Sequence, residues 1–437
     1  MAQYWRRFAG RCRQCPVAGA VLLLVLAAIT GAAPAHAQVA HFYSSLRGMH
    51  VAGYQGWFRC PGDGAGISWG HWMRGKTNAS DPNTLAVDMW PDTSELDPDE
   101  LCPTGFRLPG GAPAYLFSNQ NPKTVARHFK WMRQYGLDGV AMQRFTAAVA
   151  RPAATAHLDT VLRNVSAAAE ENRRGFFVMY DISGMNGATA LDLIKRDWQH
   201  LVVDLRLTES PAYIYDRGRP VVGVWGLGFK QRDVSPEQAS AIIRYFKAGP
   251  GAATVLGGVP ASWRNLSADG RWPDAHSDAG WHAVYRSLDV ISPWSVGRLR
   301  DDRGTDDFAR MRIGPDIAET RRLGIEYMPV VFPGFSWHNA SLASARFAPI
   351  DAIPRRCGAF YRRQVANIIK AGATMLYTAM FDEVNEGTAI FKVAPTPARQ
   401  PAGADLLPLD AGGCGNATSD LYLRLAGDAT RALGQRR

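Results

Sequence analysis

Three observations in the sequence predict a (β/α)8 barrel. Eight short runs of apolar, β-branched and aromatic residues recur along the chain, and helix-like stretches separate several of them. Most of these runs are continuously apolar, which is typical of strands buried on both faces of a sheet. Buried strands that alternate with helices are the pattern of this barrel. The alternative is an open doubly wound sheet, which is less favoured because no glycine-rich phosphate-binding turn follows the first strand.

The eight candidate strands share this apolar character. They are residues 49–58, 137–145, 175–184, 219–229, 253–263, 288–298, 325–337 and 372–383. The stretch "PKTVARHFKWMRQYG" is amphipathic and ends at Gly136, as helices often do. We also predict helices in "DTVLRNVSAAAEENRR", in "SPEQASAIIRYFKAG" and, near the C-terminus, in "SDLYLRLAGDATRAL".

A long segment separates the first two predicted strands. Residues 59–122 are rich in Gly, Pro, Asp and Trp, and they include two cysteines. Loops of this length in a compact domain are usually functional or disordered, and the cysteine pair favours order. We therefore expect a structured loop over one mouth of the barrel.

The first 37 residues resemble an export signal. A basic front precedes an apolar segment and contains Arg6, Arg7, Arg11 and Arg13. The motif "AHA" then offers a small-x-small cleavage site before Gln38. The alternative is an uncleaved membrane anchor, because the apolar segment is almost long enough to span a bilayer. We predict a signal peptide at 1–37, a single domain at 38–437, and a secreted or periplasmic protein.

The net charge of the chain is modest. The formal charge is +10, and it falls to +6 without the first 37 residues, which carry four arginines and no acid. This surplus is spread along the chain without a basic block, so nucleic acid is not an expected partner. We expect a monomer that contacts a membrane only if the signal stays uncleaved.

Four cysteines remain after the signal: Cys60, Cys102, Cys357 and Cys414. Four cysteines allow three pairings, and proximity in the sequence favours Cys60–Cys102 and Cys357–Cys414. None has the C-x-x-C spacing of a zinc or redox site. An exported protein meets an oxidising compartment, so we interpret all four as structural disulfides.

The predicted strand ends are rich in aromatic, amide, guanidinium and carboxylate side chains. They are Gln55, Trp57, Gln143, Arg144, Asp181, Trp225, Trp263, Trp294, Arg298, Trp337, His338, Glu383 and Glu386. Side chains at the carboxyl ends of the strands line the active site of a (β/α)8 barrel. Indole rings pack on the C–H faces of sugars, while amides and acids hydrogen-bond their hydroxyls. The mixture predicts a carbohydrate site, although a single tryptophan at a strand end is more often core.

Two acids follow the last predicted strand in "FDEVNEGTAIF". Glu383 and Glu386 are three positions apart, so a turn or a first helical residue would bring both to one face. Paired carboxyl groups suit glycosidic cleavage, in which one protonates the departing oxygen and the other acts as base or nucleophile. The structural alternatives are a buried ion pair of Glu383 with Arg298 or Arg144, and a helix-capping role for Glu386.

Six short motifs carry a resemblance to a known family. They are "GYQGWF", "MQRF", "MYDISG", "PWSVGR", "VFPGFSW" and "FDEVNEGTAIF". In this order and spacing, over nearly the whole mature chain, they resemble bacterial glycoside hydrolase family 71/99-like proteins. Family 99 contains endo-acting α-mannosidases and α-mannanases, and family 71 contains α-1,3-glucanases. The resemblance implies a (β/α)8 barrel that uses neither a metal nor an organic cofactor.

The resemblance also implies residue roles. The family 99 motif reads roughly Trp-Asn-Glu-x-x-Glu-Gly-Thr, which places its general acid/base on Glu386. Its first glutamate falls on Glu383, which would act on the sugar's own 2-hydroxyl through a 1,2-anhydro intermediate, with net retention. The pair His71-Trp72 resembles a sugar-contacting pair of the family. This chain departs from the motif at Phe381-Asp382, and family 71 is inverting, so stereochemistry and sugar stay open.

These features predict an exported retaining glycoside hydrolase that acts on an α-linked polysaccharide or glycan. One alternative is a non-catalytic glycan-binding protein on the same barrel, motivated by the altered residues before Glu383. Another is a metal-dependent hydrolase that would use Asp382, Glu383 and His338, although no H-x-H or H-E-x-x-H pattern supports it.

Overall fold

Eight parallel strands form a closed barrel at the centre of the computed structural model. The strands are β1 (His50–Tyr54), β2 (Gly139–Phe145), β3 (Gly175–Asp181), β4 (Arg219–Trp225), β5 (Thr254–Pro260), β6 (Val290–Trp294), β7 (Glu326–Tyr327 and Val330–Val331) and β8 (Leu376–Thr378). Each strand lies within one of the eight predicted runs. The (β/α)8 prediction is therefore confirmed.

The barrel closes because β7 is shared between two neighbours. Its first part pairs with β6 and its second part with β8, while β8 pairs with β1. The strand stays bonded across its interruption, since Met328 donates to the carbonyl of Ile291 and Pro329 accepts from Tyr377. Pairing of successive strands from β1 to β6 completes the ring. Closure leaves no unpaired sheet edge in the barrel.

The structure describes residues 40–66, 68–75, 79–342, 344 and 347–435, which belong to one compact unit. The predicted signal peptide at 1–37 lies outside these residues. Within the described part of the chain, no helix has the length and apolar character needed to cross a membrane.

Helices follow the barrel strands along the chain. They are α1 (Pro122–Tyr135), α2 (Thr146–Val149), α3 (Pro152–Asn172), α4 (Gly187–Gln199), α5 (Pro236–Ala248), α6 (Trp281–Arg286), α7 (Asp302–Phe308), α8 (Gly314–Leu323), α9 (His338–Ser341), α10 (Ala359–Ala371) and α11 (Leu421–Gly434). Helical turns of the 3-10 or π type occur at Pro82–Thr84, Pro98–Glu100, His200–Asp204, Leu207–Glu209, Ala309–Ile313, Arg356–Gly358 and Pro397–Arg399.

The predicted helices have ends that match their sequence signals. At the start of α1, the Asn121 side chain accepts a backbone N–H, and Gly136 ends the helix in the left-handed conformation with φ 83°. At the start of α5, Ser235 and Gln238 form a reciprocal capping box. The helix α3 begins at Pro152, earlier than predicted.

The segment between β1 and α1 is ordered and covers the barrel mouth at the carboxyl ends of the strands. It contains an antiparallel hairpin of Cys102–Arg107 and Pro113–Leu116. It also packs on the chain that follows β8, where the carbonyl of Val384 accepts hydrogen bonds from the backbone N–H groups of Asp88 and Met89. The expected structured loop over one mouth is therefore present.

Two disulfides hold irregular segments in place. The Cys60–Cys102 bond spans most of the insertion, and the Cys357–Cys414 bond joins the turn before α10 to the loop before α11. These are the two pairings that proximity in the sequence favours. Each closes a long loop and so restricts the unfolded chain.

A buried carboxylate joins the last strand to the first. Asp382 is fully buried just after β8, and its Oδ1 and Oδ2 atoms accept the backbone N–H groups of Gln55 at 2.7 Å and Gly56 at 2.9 Å. Both amides lie just after β1. The carboxylate therefore fixes two adjoining strand ends relative to each other.

We expect Asp382→Asn to lower the free energy of unfolding by about 1–3 kcal/mol. The asparagine side chain has only one oxygen to accept a backbone N–H, and its NH2 group would face the second N–H, which is also a donor. Denaturant unfolding at pH 8 measures the change, since burial raises the pKa of Asp382 to about 7 and the group is then ionised. Asp428→Asn on the exposed surface of α11 is the control. Equal effects of the two substitutions would contradict this role.

Candidate active site

A cavity of about 280 Å³ opens at the carboxyl ends of the barrel strands. Eight sequence-predicted residues line it: Gln55, Trp57, Gln143, Asp181, Trp225, Trp294, Glu383 and Glu386. Six further residues complete its wall: Phe145, Ser183, Arg232, Tyr377, Met380 and Thr388. These side chains come from distant parts of the sequence, and closure of the barrel brings them together.

Aromatic rings form two sides of this cavity. On one side, the Trp57 ring stacks on Phe145 with 5.2 Å between centroids, and on His71 with 3.9 Å. On the other side, the rings of Trp225 and Trp294 meet edge to face at 5.4 Å. The first group follows β1 and β2, whereas the second follows β4 and β6, so the strand order places the groups across the mouth from each other.

The floor of the cavity is tightly packed. The Gln143 amide donates to the hydroxyl of Tyr377 at 3.2 Å, and that hydroxyl lies 3.7 Å from the sulfur of Met380. Behind them, β1 has no room for a side chain at Gly53, where a Cβ would lie 2.1 Å from the Met380 methyl carbon. The floor is therefore fixed by packing as well as by hydrogen bonds.

Glu383 lies deep in the cavity and is only 2% exposed. Its Oε1 atom accepts the backbone N–H groups of Asn385 at 2.9 Å and Glu386 at 3.3 Å, and its Oε2 atom accepts the Gln55 amide at 2.8 Å. Burial raises the pKa of Glu383 well above its usual range, and the charges of Glu386 and Asp382 add to the effect. The hydrogen bonds oppose this increase.

Glu386 is less buried and its carboxyl group faces the cavity. Among the described residues, no donor is hydrogen-bonded to this carboxyl group. Burial raises its pKa to about 7, and the charge of Asp181 contributes. Asp181 itself accepts the backbone N–H of Ser183 at 2.7 Å. A carboxyl group in this state can carry a proton near neutral pH and deliver it to a ligand.

The two glutamates titrate as a pair. Repulsion between neighbouring carboxylates in a nonpolar cavity favours a state in which the pair as a whole holds one proton. Three N–H donors point at Glu383 and stabilise charge there, whereas Glu386 has no such donors. The hydrogen bonds therefore favour the charge on Glu383, against its burial and the charge of Glu386, which favour a proton there.

Several polar atoms in the wall are buried and have no hydrogen-bond partner among the described residues. They are Gln55 Oε1, Trp57 Nε1, Trp225 Nε1, Arg232 Nε and Thr388 Oγ1. A buried polar atom without a partner costs about 1–3 kcal/mol, so native proteins rarely keep one without a reason. Here the atoms surround one cavity and include both donors and acceptors, as a ligand rich in hydroxyl groups requires.

The pair His71-Trp72 is divided between two environments. His71 is exposed to solvent, stacks on Trp57 and does not line the cavity itself. Trp72 is fully buried, stacks on Phe58 and donates its Nε1–H to the carbonyl of Phe117 at 2.9 Å. Its ring therefore anchors the insertion and does not face the cavity.

Four other predicted contacts also lie outside the cavity wall. The Trp263 Nε1–H donates to Asp316, and Arg298 forms an ion pair with Asp274 at 2.9 Å. Trp337 precedes α9, where it is half-buried. His338 lies in the same turn, and its ring Nδ1 is 3.0 Å from the carbonyl oxygen of Ala348. The strands β5, β6 and β7 end before these positions. Trp263, Arg298 and Trp337 therefore lie in the connections that follow them, and His338 begins α9.

Arg144 lies on β2 but faces away from the barrel interior. Its guanidinium group is 2% exposed and binds Asp159 of α3 at 2.7 Å and Asp197 of α4 at 2.6 Å. Neighbouring residues of a strand point to opposite faces, so Gln143 and Arg144 cannot both line the cavity. With Arg144 and Arg298 paired elsewhere, Glu383 is not a structural partner of either arginine.

The sequence contained a signal for two of the cavity residues that the sequence analysis did not predict. Phe145 and Ser183 follow the predicted Gln143 and Asp181 by two positions, which is the period at which strand residues share a face. Arg232 lies in a loop after β4, and nothing in its local sequence indicates the cavity. In the part of the chain that the structure describes, no three His, Cys, Asp or Glu side chains form a metal-binding group.

Comparisons with known proteins bear on the fold. No protein-family model matches the chain, and no curated protein matches it. Two solved structures of the GH99 endo-α-mannosidase from Bacteroides thetaiotaomicron, one in complex with bis-tris-propane, superpose with a TM-score of 0.59 at 12% identity. Each alignment covers 90% of this chain and 99% of the mannosidase chain. The chain therefore has the fold of a GH99 enzyme, and the predicted resemblance is confirmed at the level of the fold.

We expect Arg144→Met to lower the free energy of unfolding by about 3–5 kcal/mol, because it leaves two buried carboxylates without their cation. Chemical denaturation measures this loss. The matched control is Arg206→Met, which removes an exposed pair with Glu209 and should change stability little. Unchanged stability together with weakened ligand binding would instead support the sequence-predicted binding role.

Proposed function

We propose that this protein is a glycoside hydrolase that cleaves an α-linked polysaccharide or glycan, with Glu386 as general acid/base and Glu383 as its partner carboxylate. The observation that carries the proposal is the position of these two carboxyl groups side by side in an aromatic-walled cavity at the carboxyl ends of the barrel strands. The fold shared with an endo-α-mannosidase supports it.

Glu386 suits the acid/base role. Its pKa of about 7 keeps a proton available near neutral pH, and its carboxyl group is not engaged by hydrogen-bond donors of the described residues. In the bond-breaking step, Glu386 gives this proton to the glycosidic oxygen as the leaving group departs. In the second step, it removes a proton from the incoming water.

Glu383 suits the role of a base toward the substrate. Three N–H donors orient its carboxylate, and its raised pKa makes it a stronger base than an exposed glutamate. Acting on the sugar 2-hydroxyl, it helps this oxygen attack the anomeric carbon and form a 1,2-anhydro sugar, which water then opens with net retention. The route requires a 2-hydroxyl trans to the leaving group, as in an α-mannoside.

The aromatic sides position the sugar rings. Trp57 and Trp225 each expose part of their ring system at the cavity and keep an indole N–H without a partner among the described residues. Sugar C–H faces pack on such rings while hydroxyl groups accept from the N–H groups. Gln55, Asp181 and Thr388 provide further hydrogen bonds around the ring.

We further propose that the protein is exported and acts as a monomer outside the cytoplasm. The two disulfides support export, because such bonds persist in oxidising compartments. The signal-like first 37 residues support it as well. N-terminal sequencing of the protein recovered from its host should begin at Gln38.

The activities of two variants on substrates with different leaving groups test the assigned roles. We expect Glu386→Gln to lose about 10²–10⁴-fold in kcat/KM on a natural glycan found by screening α-mannans and α-1,3-glucans. The same variant should keep nearly full kcat/KM on a dinitrophenyl α-glycoside, because this ratio reports the bond-breaking step and the leaving group needs no proton. Glu383→Gln should lose activity on both substrates. Reducing-sugar and dinitrophenolate release measure these rates.

The control for both variants is Glu319→Gln, an exposed substitution on α8 that lies outside the cavity. Equal activity of wild type and Glu386→Gln on the natural glycan would reject the acid role. Tight glycan binding without any turnover would instead identify a non-catalytic glycan-binding protein.

The pH profile provides a separate test. We expect kcat/KM on the natural glycan to fall above about pH 7, because the glutamate pair then loses the proton that Glu386 must donate. It should also fall as the pH decreases through the raised pKa of Glu383, because a protonated Glu383 can no longer act as a base. With the dinitrophenyl substrate the alkaline decrease should disappear, and its persistence would contradict the assignment.

A further inference from the structure

The cavity wall contains one cationic side chain among its described residues. Arg232 lies in the loop between β4 and α5, whereas the charged neighbours in the wall are the acids Asp181, Glu383 and Glu386. The guanidinium carbon lies 5.4 Å from the centroid of the Trp225 ring, which is the range of a cation–π contact. The arginine is thus placed beside one of the aromatic platforms.

The guanidinium group of Arg232 has no anionic partner in the described part of the chain. Its Nε atom is buried without a hydrogen-bond acceptor, and no carboxylate lies within ion-pair distance. Asp181 feels the positive charge, which lowers its pKa slightly against the larger effect of burial. However, Asp181 directs Oδ1 to the backbone N–H of Ser183, and a gap separates it from the arginine.

The backbone around Arg232 is held without help from its side chain. Leu227 donates to the carbonyl of Gly258, Lys230 donates to the carbonyl of Asp274, and Arg232 itself donates to Phe229. The Phe229 ring also packs on Trp225 with 4.9 Å between centroids. The guanidinium group is therefore preorganised at the cavity, and it serves neither the loop nor an internal ion pair.

An unpaired, preorganised guanidinium group is a specific recognition element for an oxyanion. Its planar N–H fork matches the oxygen atoms of a carboxylate, a sulfate or a phosphate, and a charge-assisted bond of this kind is about twice as strong as a neutral one. A neutral sugar would satisfy the N–H groups through hydroxyl oxygens but would bring no anionic group within ion-pair distance of the guanidinium.

We propose that the cavity selects glycans that carry an anionic substituent on the sugar bound beside Trp225, with Arg232 as the partner of that substituent. This inference rests on the proposed function, because it uses the same cavity as the carbohydrate site. It deepens that function by naming an acidic α-linked glycan as the substrate class. The acids of the wall make the selection stricter, since an anion placed elsewhere in the cavity meets like charges.

Binding to the Glu386→Gln protein tests the proposal without requiring turnover. Three matched pairs of α-linked trisaccharides distinguish the possible anions: trigalacturonate against its methyl ester, a sulfated isomaltotriose against isomaltotriose, and a phosphorylated mannotriose against mannotriose. In at least one pair, calorimetry at low salt should show about ten- to hundred-fold tighter binding of the charged form. The preference should shrink as salt is added.

Second substitutions in the same protein assign the preference to Arg232. Arg232→Met should remove the preference, and Arg232→Lys should retain part of it, because lysine keeps the charge but not the planar fork. Arg206→Met is the matched surface control and should leave the preference intact, which excludes general attraction by the net positive charge of the chain. Circular dichroism establishes that each variant is folded.

Two results would overturn the inference: equal affinity for both members of every pair, or a charge preference that survives in Arg232→Met. The proposed hydrolase activity can be supported or rejected independently of this inference. If the wild-type protein hydrolyses no glycan and the charge preference depends on Arg232, this inference is supported and hydrolysis is rejected. Hydrolysis of a neutral glycan, with no charged probe bound more tightly, supports hydrolysis and rejects this inference.

Discussion

The structure depends on the junction at which the last barrel strand meets the first. Asp382 is buried there and accepts two backbone N–H groups of the segment after β1. The next residue, Glu383, is joined to the same segment through the side chain of Gln55. One set of hydrogen bonds therefore joins the ends of these two strands and positions the candidate catalytic pair. A buried carboxylate that has both oxygens satisfied is tolerated, whereas an unsatisfied one would destabilise the fold.

The same junction determines the chemistry that the cavity can support. Three acids line its wall, with Asp382 beneath them. Burial raises the pKa values of Asp382, Glu383 and Glu386, and the charges of neighbouring acids add to the effect at the two glutamates. The fold limits this repulsion by directing three N–H donors at Glu383 and leaving Glu386 without any. Two chemically identical side chains, three positions apart, thus acquire different hydrogen-bond environments. The asymmetry is the physical basis for assigning an acid to one and a base to the other.

Particular residues show how far the sequence predicted the site. Gln55, Trp57, Asp181, Trp225, Trp294 and both glutamates were found because they follow buried strands, and strand ends converge in a barrel. The pair Gln143 and Arg144 shows the limit, since only one of two successive strand residues can face inward. Trp263 and Arg298 lie beyond the ends of their strands, in loops whose course depends on tertiary contacts. Arg232 could not be found, because its loop folds back onto Trp225 through contacts distant in sequence.

The sequence by itself determined the barrel and four of its helices and favoured the two disulfide pairings, because these follow from local periodicity, capping residues and chain proximity. It also determined which acids stand at the last strand. Only the tertiary structure decided which side chains share a cavity, which arginines are neutralised by acids and which remain unpaired. Burial and charge pairing are sums over neighbours from the whole chain, and local sequence does not contain those neighbours. The different hydrogen bonding of Glu383 and Glu386, and the unpaired guanidinium beside Trp225, were therefore decided only by the tertiary structure.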